Sequence, residues 1–331
     1  MWRYELTKPE GLDALELKEA PIPEPGIGQA LMRTASIGVN RAELMATRGH
    51  YPMTIPGTPG LEGGGEIVKV GSSLGRWKEG DLVSPAHGAF VEKGRGSYAE
   101  YVLIDEEDLV AAPKNIDRRH IGGLWLPYVT AYHGLIHLGE LAKGQIVVIP
   151  AATSSVGLAA IQIAQDLGAQ PIGYTTSAAK LEALMEASGL DEAHIICAER
   201  ESLTEGLKRT LGTERPGLFF DPIGGAFLEE EIKALRPAGA IVLYGNLGGK
   251  GEILAGRLVT KRARVLGCNL GGVRVDPSVM RATYRTLVEK LESGAYKPIA
   301  AREFPFNQAR EALEFMAKNS HIGKIYLAEN A

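Results

Sequence analysis

Between Ile146 and Gly168 the chain passes from five apolar residues, IVVIP, through ATSSVG into a stretch whose apolar side chains recur with helical spacing, Val156–Leu167. The alternation then repeats. Gln170–Tyr174 reads as a strand, and Ala178–Ala187 as a helix stopped by Gly189. Ile195–Cys197, Leu218–Asp221 and Ala240–Tyr244 read as further strands, separated by helices around Leu203–Leu211 and Phe227–Leu235. Arg264–Leu270 reads as a last strand. Short apolar strands alternating with amphipathic helices bury both sheet faces when the strands run parallel with helices above and below. The spacing therefore predicts a doubly wound α/β domain.

Before about Leu126 the character differs. Gly, Pro and short β-like runs dominate, with candidate strands at Gln29–Ser36, Gly64–Val70, Asp81–Ser84 and Tyr98–Ile104. After the alternating region come a helix from about Pro277 to Leu291, a short extended run, a helix near Gln308–Lys318 and a closing strand, Lys324–Leu327. A chain of 331 residues exceeds one ordinary core, so two domains are expected.

The formal net charge is −4, which gives no basic surplus for nucleic acid or an anionic membrane. Two cysteines, Cys197 and Cys268, lie in apolar runs, which points to buried thiols and a reducing compartment. The polar start MWRYELTKPEG lacks a signal-peptide apolar region, and no run is long enough to span a bilayer; a cytoplasmic protein is expected.

The turn ATSSVG bears on function. Dinucleotide-binding turns use glycines so that backbone N–H groups can approach a pyrophosphate at a helix N-terminus. Here Ser154 and Ser155 stand in the turn, and Gly157 remains for a close helix–strand contact. An N-capping serine in a tight turn explains the same residues. The next strand ends Tyr174-Thr175-Thr176-Ser177, with Lys180 following and no acid before Glu182. An acid there would hold the ribose hydroxyls of NAD, whereas hydroxyls and an ammonium suit a 2′-phosphate. The pattern leans towards NADPH; a Ser/Thr cap with a solvated Lys180 is the alternative.

Taken together, GVNRAEL (Gly38–Leu44), GHYP (Gly49–Pro52), PGLEGGGEIVKVG (Pro59–Gly71), GSYAEYV, LPYVTAYHGL (Leu126–Leu135), AATSSVGLAAIQIA, FDPIGG (Phe220–Gly225) and IGKIYL (Ile322–Leu327) resemble the medium-chain dehydrogenase/reductase superfamily, in its zinc-independent quinone oxidoreductase and enone reductase branch. The resemblance covers essentially the whole chain. It implies a Rossmann NADP-binding domain, residues 126–270, inserted in a β-rich GroES-like catalytic domain, residues 1–125 and 271–331. It also implies a homodimer joined at the edges of the Rossmann sheets, with Val265–Leu270 as the candidate edge.

Zinc-dependent members carry ligands at positions that fall here at about Asn40, Leu61 and Pro127, a set that cannot hold zinc. Seven histidines are scattered, and only His133 and His137 lie four apart. Without a metal, the implied chemistry is hydride addition from NADPH to a quinone or an α,β-unsaturated carbonyl compound. The resemblance assigns Tyr51 as the donor to the developing enolate, with Asn40 and Thr130 near the carbonyl or nicotinamide, and leaves Glu62 structural. Ser154, Ser155, Val156 and Gly157 would hold the pyrophosphate. Thr175, Thr176, Ser177 and Lys180 would surround the adenosine phosphate. Gly245, Asn246, Leu247, Asn269 and Leu270 would approach the nicotinamide half, and Asn319 and Lys324 would make a C-terminal cofactor contact. Enoyl thioester reduction and a non-catalytic, crystallin-like NADPH-binding role are the competing readings.

Overall fold

The computed structural model describes residues 1–73, 75–86, 88–90, 95–270 and 276–329, so His87 lies outside the described residues. Two units are distinct, Met1–Leu126 with Leu270–Ala331, and Pro127–Asn269.

The first unit opens with an antiparallel hairpin, β1 (Trp2–Leu6) and β2 (Leu15–Glu19). The long β3 (Gln29–Val39) runs into the short helix α1 (Arg41–Ala46). β4 (Gly64–Val70) and β6 (Tyr101–Asp105) both pair antiparallel with β3, and β5 (Leu82–Val83) pairs with β4. Burial alternates along β6, as expected of a strand with one face on a core.

The chain enters the second unit within α2 (Trp125–Tyr132), which continues as a π-helical segment, His133–Leu138. Then come β7 (Ile146–Pro150), α3 (Ser155–Leu167), β8 (Gln170–Thr175), α4 (Leu181–Ser188), β9 (Ile195–Cys197) and α5 (Leu203–Leu211). β10 (Leu218–Asp221), α6 (Phe227–Ala234), β11 (Ala240–Leu243), α7 (Ala255–Lys261) and β12 (Arg264–Gly267) complete it. All strand pairs are parallel, in the order β12-β11-β10-β7-β8-β9. The central β7 is buried at every position, which is why it reads as an unbroken apolar run. The order reverses between β7 and β10, and the crevice beyond the carboxyl ends at such a reversal is where open α/β sheets bind ligands.

The chain returns to the first unit with α8 (Pro277–Glu292), β13 (Ala300–Pro305), α9 (Ala309–Ala317) and β14 (Lys324–Ala328). β14 inserts between β13 and β3. Tyr4, Leu6, Ile37, Leu44, Phe304, Leu313, Ile325 and Leu327 share one core, so both ends of the chain are needed to fill it.

The α/β class and parallel sheet match the sequence expectation. The hairpin β1–β2, α1 and α7 were not foreseen. The hairpin carries charges on its outer positions, with Lys18 bridging Glu5 at 2.7 Å, and these mask its apolar period. α7 has no fully buried residue, so it lacks an amphipathic signal. Tyr98 and Ala99 do not begin β6 but meet β1: the Tyr4 N–H donates to Tyr98 O at 2.8 Å. β12 stops at Gly267, short of Leu270.

Candidate active site

Asn40 follows β3 and caps α1. Its own N–H donates to Glu43 Oε2 at 2.7 Å, the backbone half of a capping box. Its side-chain Nδ2 donates to Gly38 O at 3.0 Å and to Glu43 Oε1 at 3.2 Å. Its Oδ1 accepts from Lys324 Nζ at 2.5 Å. Both ends of the amide are thus turned into the protein. This corrects the expectation that Asn40 offers its amide to a substrate carbonyl: its bonds to Gly38, Glu43 and Lys324 consume it.

Lys324 is corrected too. It belongs to β14, whose five residues are all buried: strands flank it on both sides, and α9 and the turn Ile121–Gly123 pack against it. The ammonium pairs with Glu62 and Asn40 and is 3% exposed, so it makes no cofactor contact in this conformation. Glu62, equally buried, also accepts from the Leu126 N–H at 3.1 Å, in keeping with a structural part. Gly38 leaves room for the pair, since a Cβ there would lie 2.5 Å from Glu62 Oε1 and 2.6 Å from Lys324 Cε.

Glu43 is the residue that sequence reasoning passed over. It is buried beside the pair and accepts from the Leu61 N–H at 3.0 Å as well as from Asn40. Burial pushes its carboxyl up to about 7, against the pull of the Lys324 charge and the N–H donors. Its signal was present as an acid three residues after an N-capping Asn. Glu43 also lines a recess with Tyr51, Pro52, Met53, Thr58 and Leu61. Tyr51 is half-buried there. Burial, and secondarily the Glu43 charge, raise its phenol above the ordinary value, which keeps it a proton-bearing donor. Asn319, exposed after α9 with φ 53°, accepts from the Arg41 guanidinium, so the segment before β14 is tied to α1.

The positions of zinc ligands in metal-dependent relatives do not fit a metal. Leu61 and Pro127 carry no ligand atom, and the Asn40 oxygen is taken by an ammonium. His133 and His137 have ring centroids 5.5 Å apart on the π-helical segment, and burial lowers the pKa of both.

In the second unit, Ser154 caps α3 by accepting from the Gly157 N–H at 3.0 Å. The first turn of α3 leaves the N–H groups of Ser155 and Val156 without intrahelical acceptors, at the carboxyl end of β7. Gly157 is required: a Cβ would lie 2.6 Å from Ala151 O. Ala151 opens the turn at φ 50°, a left-handed conformation in which glycine is the usual occupant. The backbone of a glycine fingerprint is therefore retained with an alanine held in it. This arrangement fits a dinucleotide pyrophosphate at the helix N-terminus.

Thr175 is buried and its Oγ1 lies 3.4 Å from the Ser177 N–H, whereas Thr176 is exposed and Ser177 and Lys180 half-buried. After β11, Leu247 N–H donates to Pro222 O at 3.1 Å and Gly248 N–H to Ile223 O at 2.7 Å, which holds Gly245, Asn246 and Leu247 against the FDPIGG loop. Asp221 organises that loop by accepting from Ile223 N–H at 2.6 Å and Gly224 N–H at 2.7 Å. Asn269 is exposed, Leu270 half-buried and Thr130 half-buried on α2.

Asp221 has a second consequence. Glu231 on α6 is fully buried beside it, and the two carboxyl groups share a hydrogen bond in which the protonated Glu231 donates to Asp221. Burial and the Asp221 charge push Glu231 well above the carboxylate range. The folded state therefore keeps a proton that the unfolded chain releases near pH 4, and stability falls as pH rises above that value. Glu231→Gln is expected to raise stability at pH 8 by about 1–2 kcal/mol and to lose that advantage at pH 4. Urea unfolding of both proteins at the two pH values checks this; a pH-independent difference would remove Glu231 as the cause.

Two family models match: an alcohol dehydrogenase GroES-like domain over residues 26–114 and a zinc-binding dehydrogenase domain over residues 155–293. The chain is 27% identical to quinone oxidoreductase of Homo sapiens, over 96% of this chain and 94% of that protein. It is 29% identical to the synaptic vesicle membrane protein VAT-1 homolog of Mus musculus, over 96% of this chain and 81% of that one. Among solved structures, Escherichia coli quinone oxidoreductase complexed with NADPH superposes with a TM-score of 0.90 at 26% identity, covering 99% of this chain and 100% of that one. No helix among the described residues is long and apolar enough to cross a membrane. With the Rossmann-type sheet, the turn at Ala151–Gly157 and the Tyr51 recess already in place, these likenesses identify the chain as an oxidoreductase that uses a nicotinamide cofactor and belongs to the quinone oxidoreductase-like branch of the medium-chain dehydrogenase/reductase superfamily.

Proposed function

We propose that this protein is an NADPH-dependent reductase of quinones or α,β-unsaturated carbonyl compounds that works without zinc. The observation that carries the reading is a phenol donor, Tyr51, in a recess whose neighbouring metal-ligand positions hold an engaged amide and a leucine. NADPH, when bound, supplies the hydride. Ser155 and Val156 N–H groups and the Ser154 hydroxyl would hold the pyrophosphate, and Thr176, Ser177 and Lys180 would serve the 2′-phosphate. Tyr51 donates a hydrogen bond to the substrate carbonyl oxygen and stabilises the negative charge that develops there. The buried Asn40–Glu43–Glu62–Lys324 cluster positions this chemistry by fixing α1 and the loop that follows it. The free, buried Cys197 and Cys268 suit a reducing cytoplasm.

The test is oxidation of NADPH by EDTA-treated protein with a benzoquinone, phenanthrenequinone, a simple enone, an enal and crotonyl-CoA. Turnover of a quinone or enone is expected. Turnover of the thioester alone would move the protein to the enoyl reductases. Binding of NADPH with no turnover would overturn the substrate class.

We also propose a homodimer joined through β12. Among the described residues this strand is one of the two edges of its sheet, and nearby Leu254 and Val259 are 56% and 77% exposed. Sedimentation is expected to give a dimer that Val259→Glu weakens; a monomeric parent protein would exclude it.

A further inference from the structure

The register of β8 and β9 brings an acid to the place where β8 itself lacks one. The parallel pairing sets Thr175 beside Cys197, and the Ala198 N–H donates to Thr175 O at 2.9 Å. Two residues beyond Cys197 comes Glu199, in the turn closed by the Arg200 N–H on Cys197 O. Its carboxylate accepts from the Ala178 N–H at 2.8 Å. That amide begins the turn Ala178–Lys180 leading into α4, and it is a donor that an anion beyond the end of β8 would use.

We infer that Glu199 is the residue that sets cofactor choice, by competing with the 2′-phosphate of NADPH for the Ala178 amide. The inference rests on the NADPH reading above. In this fold the adenosine ribose lies beyond the second strand of the sheet, which is β8 here. With Glu199 turned in, its carboxylate suits the ribose hydroxyls of NADH, which donate to it, and repels a dianion. With Glu199 turned out, the Ala178 N–H is released to the phosphate, on the same turn as the Ser177 hydroxyl and the Lys180 ammonium. Glu199 is exposed, so the swing needs no repacking. The carboxylate charge therefore narrows the preference for NADPH over NADH.

Titration of NADPH and NADH into the parent protein, Glu199→Gln and Lys180→Ala tests this. Glu199→Gln is expected to tighten NADPH on the order of tenfold while leaving NADH unchanged or weaker. Lys180→Ala is expected to move the ratio of the two dissociation constants the opposite way. An unchanged ratio in Glu199→Gln, with NADPH still bound by both proteins, would overturn the role of Glu199 and leave the NADPH reading standing. A parent protein that refuses NADPH while Glu199→Gln admits it would support Glu199 and sink the NADPH reading. Refusal of NADPH by both would sink both.

Discussion

Lys324→Met is expected to lower the stability of the protein by about 3–5 kcal/mol. The substitution keeps much of the side-chain volume but removes the cation that faces two buried acids. Glu62 would lose its ion pair, and Glu43 would lose the charge that opposes its protonation. The size of the loss comes from stranding charge in a site 3% exposed; a surface pair of the same geometry would contribute at most about 1 kcal/mol. The deficit has a pH signature. Glu43 ionises at about 7 in the folded protein, and an unfolded Glu near 4.3, so the folded state binds the extra proton between these values. Removing Lys324 raises the folded value further. The deficit is therefore expected to shrink as pH falls from 8 towards 5. Glu62→Gln combined with Lys324→Met should recover part of the loss, since it removes the pair rather than breaking it. Urea unfolding measures all three; a loss under about 1 kcal/mol for Lys324→Met would show that the cluster is relaxed by solvent.

The second large effect concerns turnover. Tyr51→Phe is expected to reduce kcat about a hundredfold while changing the dissociation constant of NADPH less than twofold. The ring still fills its place against Pro52 and Met53 in the recess, so the change isolates the hydroxyl. Because the phenol lies above its ordinary value, the donor is present throughout the neutral range, and the penalty should be flat from pH 6 to 9. Parent-like turnover in Tyr51→Phe would remove Tyr51 from the chemistry. A loss that appears only at high pH would assign it to a titrating group such as Glu43 instead.

Much of the second unit was legible in the chain itself. A strand buried on both faces has to be an apolar run, and a helix packed on it has to show a period near 3.6, so local windows carry that information. The turn at Ala151–Gly157 was legible for the same reason, although Ala151 standing in a left-handed conformation was not. The first unit was harder to read. Its hairpin β1–β2 and the helix α1 are short, and tertiary contact supplies what propensity lacks.

Side-chain roles divided along the same line. The amino-acid sequence by itself determined a parallel α/β sheet, its strand–turn–helix cradle and the absence of zinc-type donors at Leu61 and Pro127. Tertiary structure alone decided that Lys324 pairs with Glu62, far away in the chain, that Asn40 faces inward, and that Glu199 reaches the Ala178 amide. Periodicity records which face of an element is buried. It does not record which strand lies next to it, and the partner of a charge is set by that neighbour.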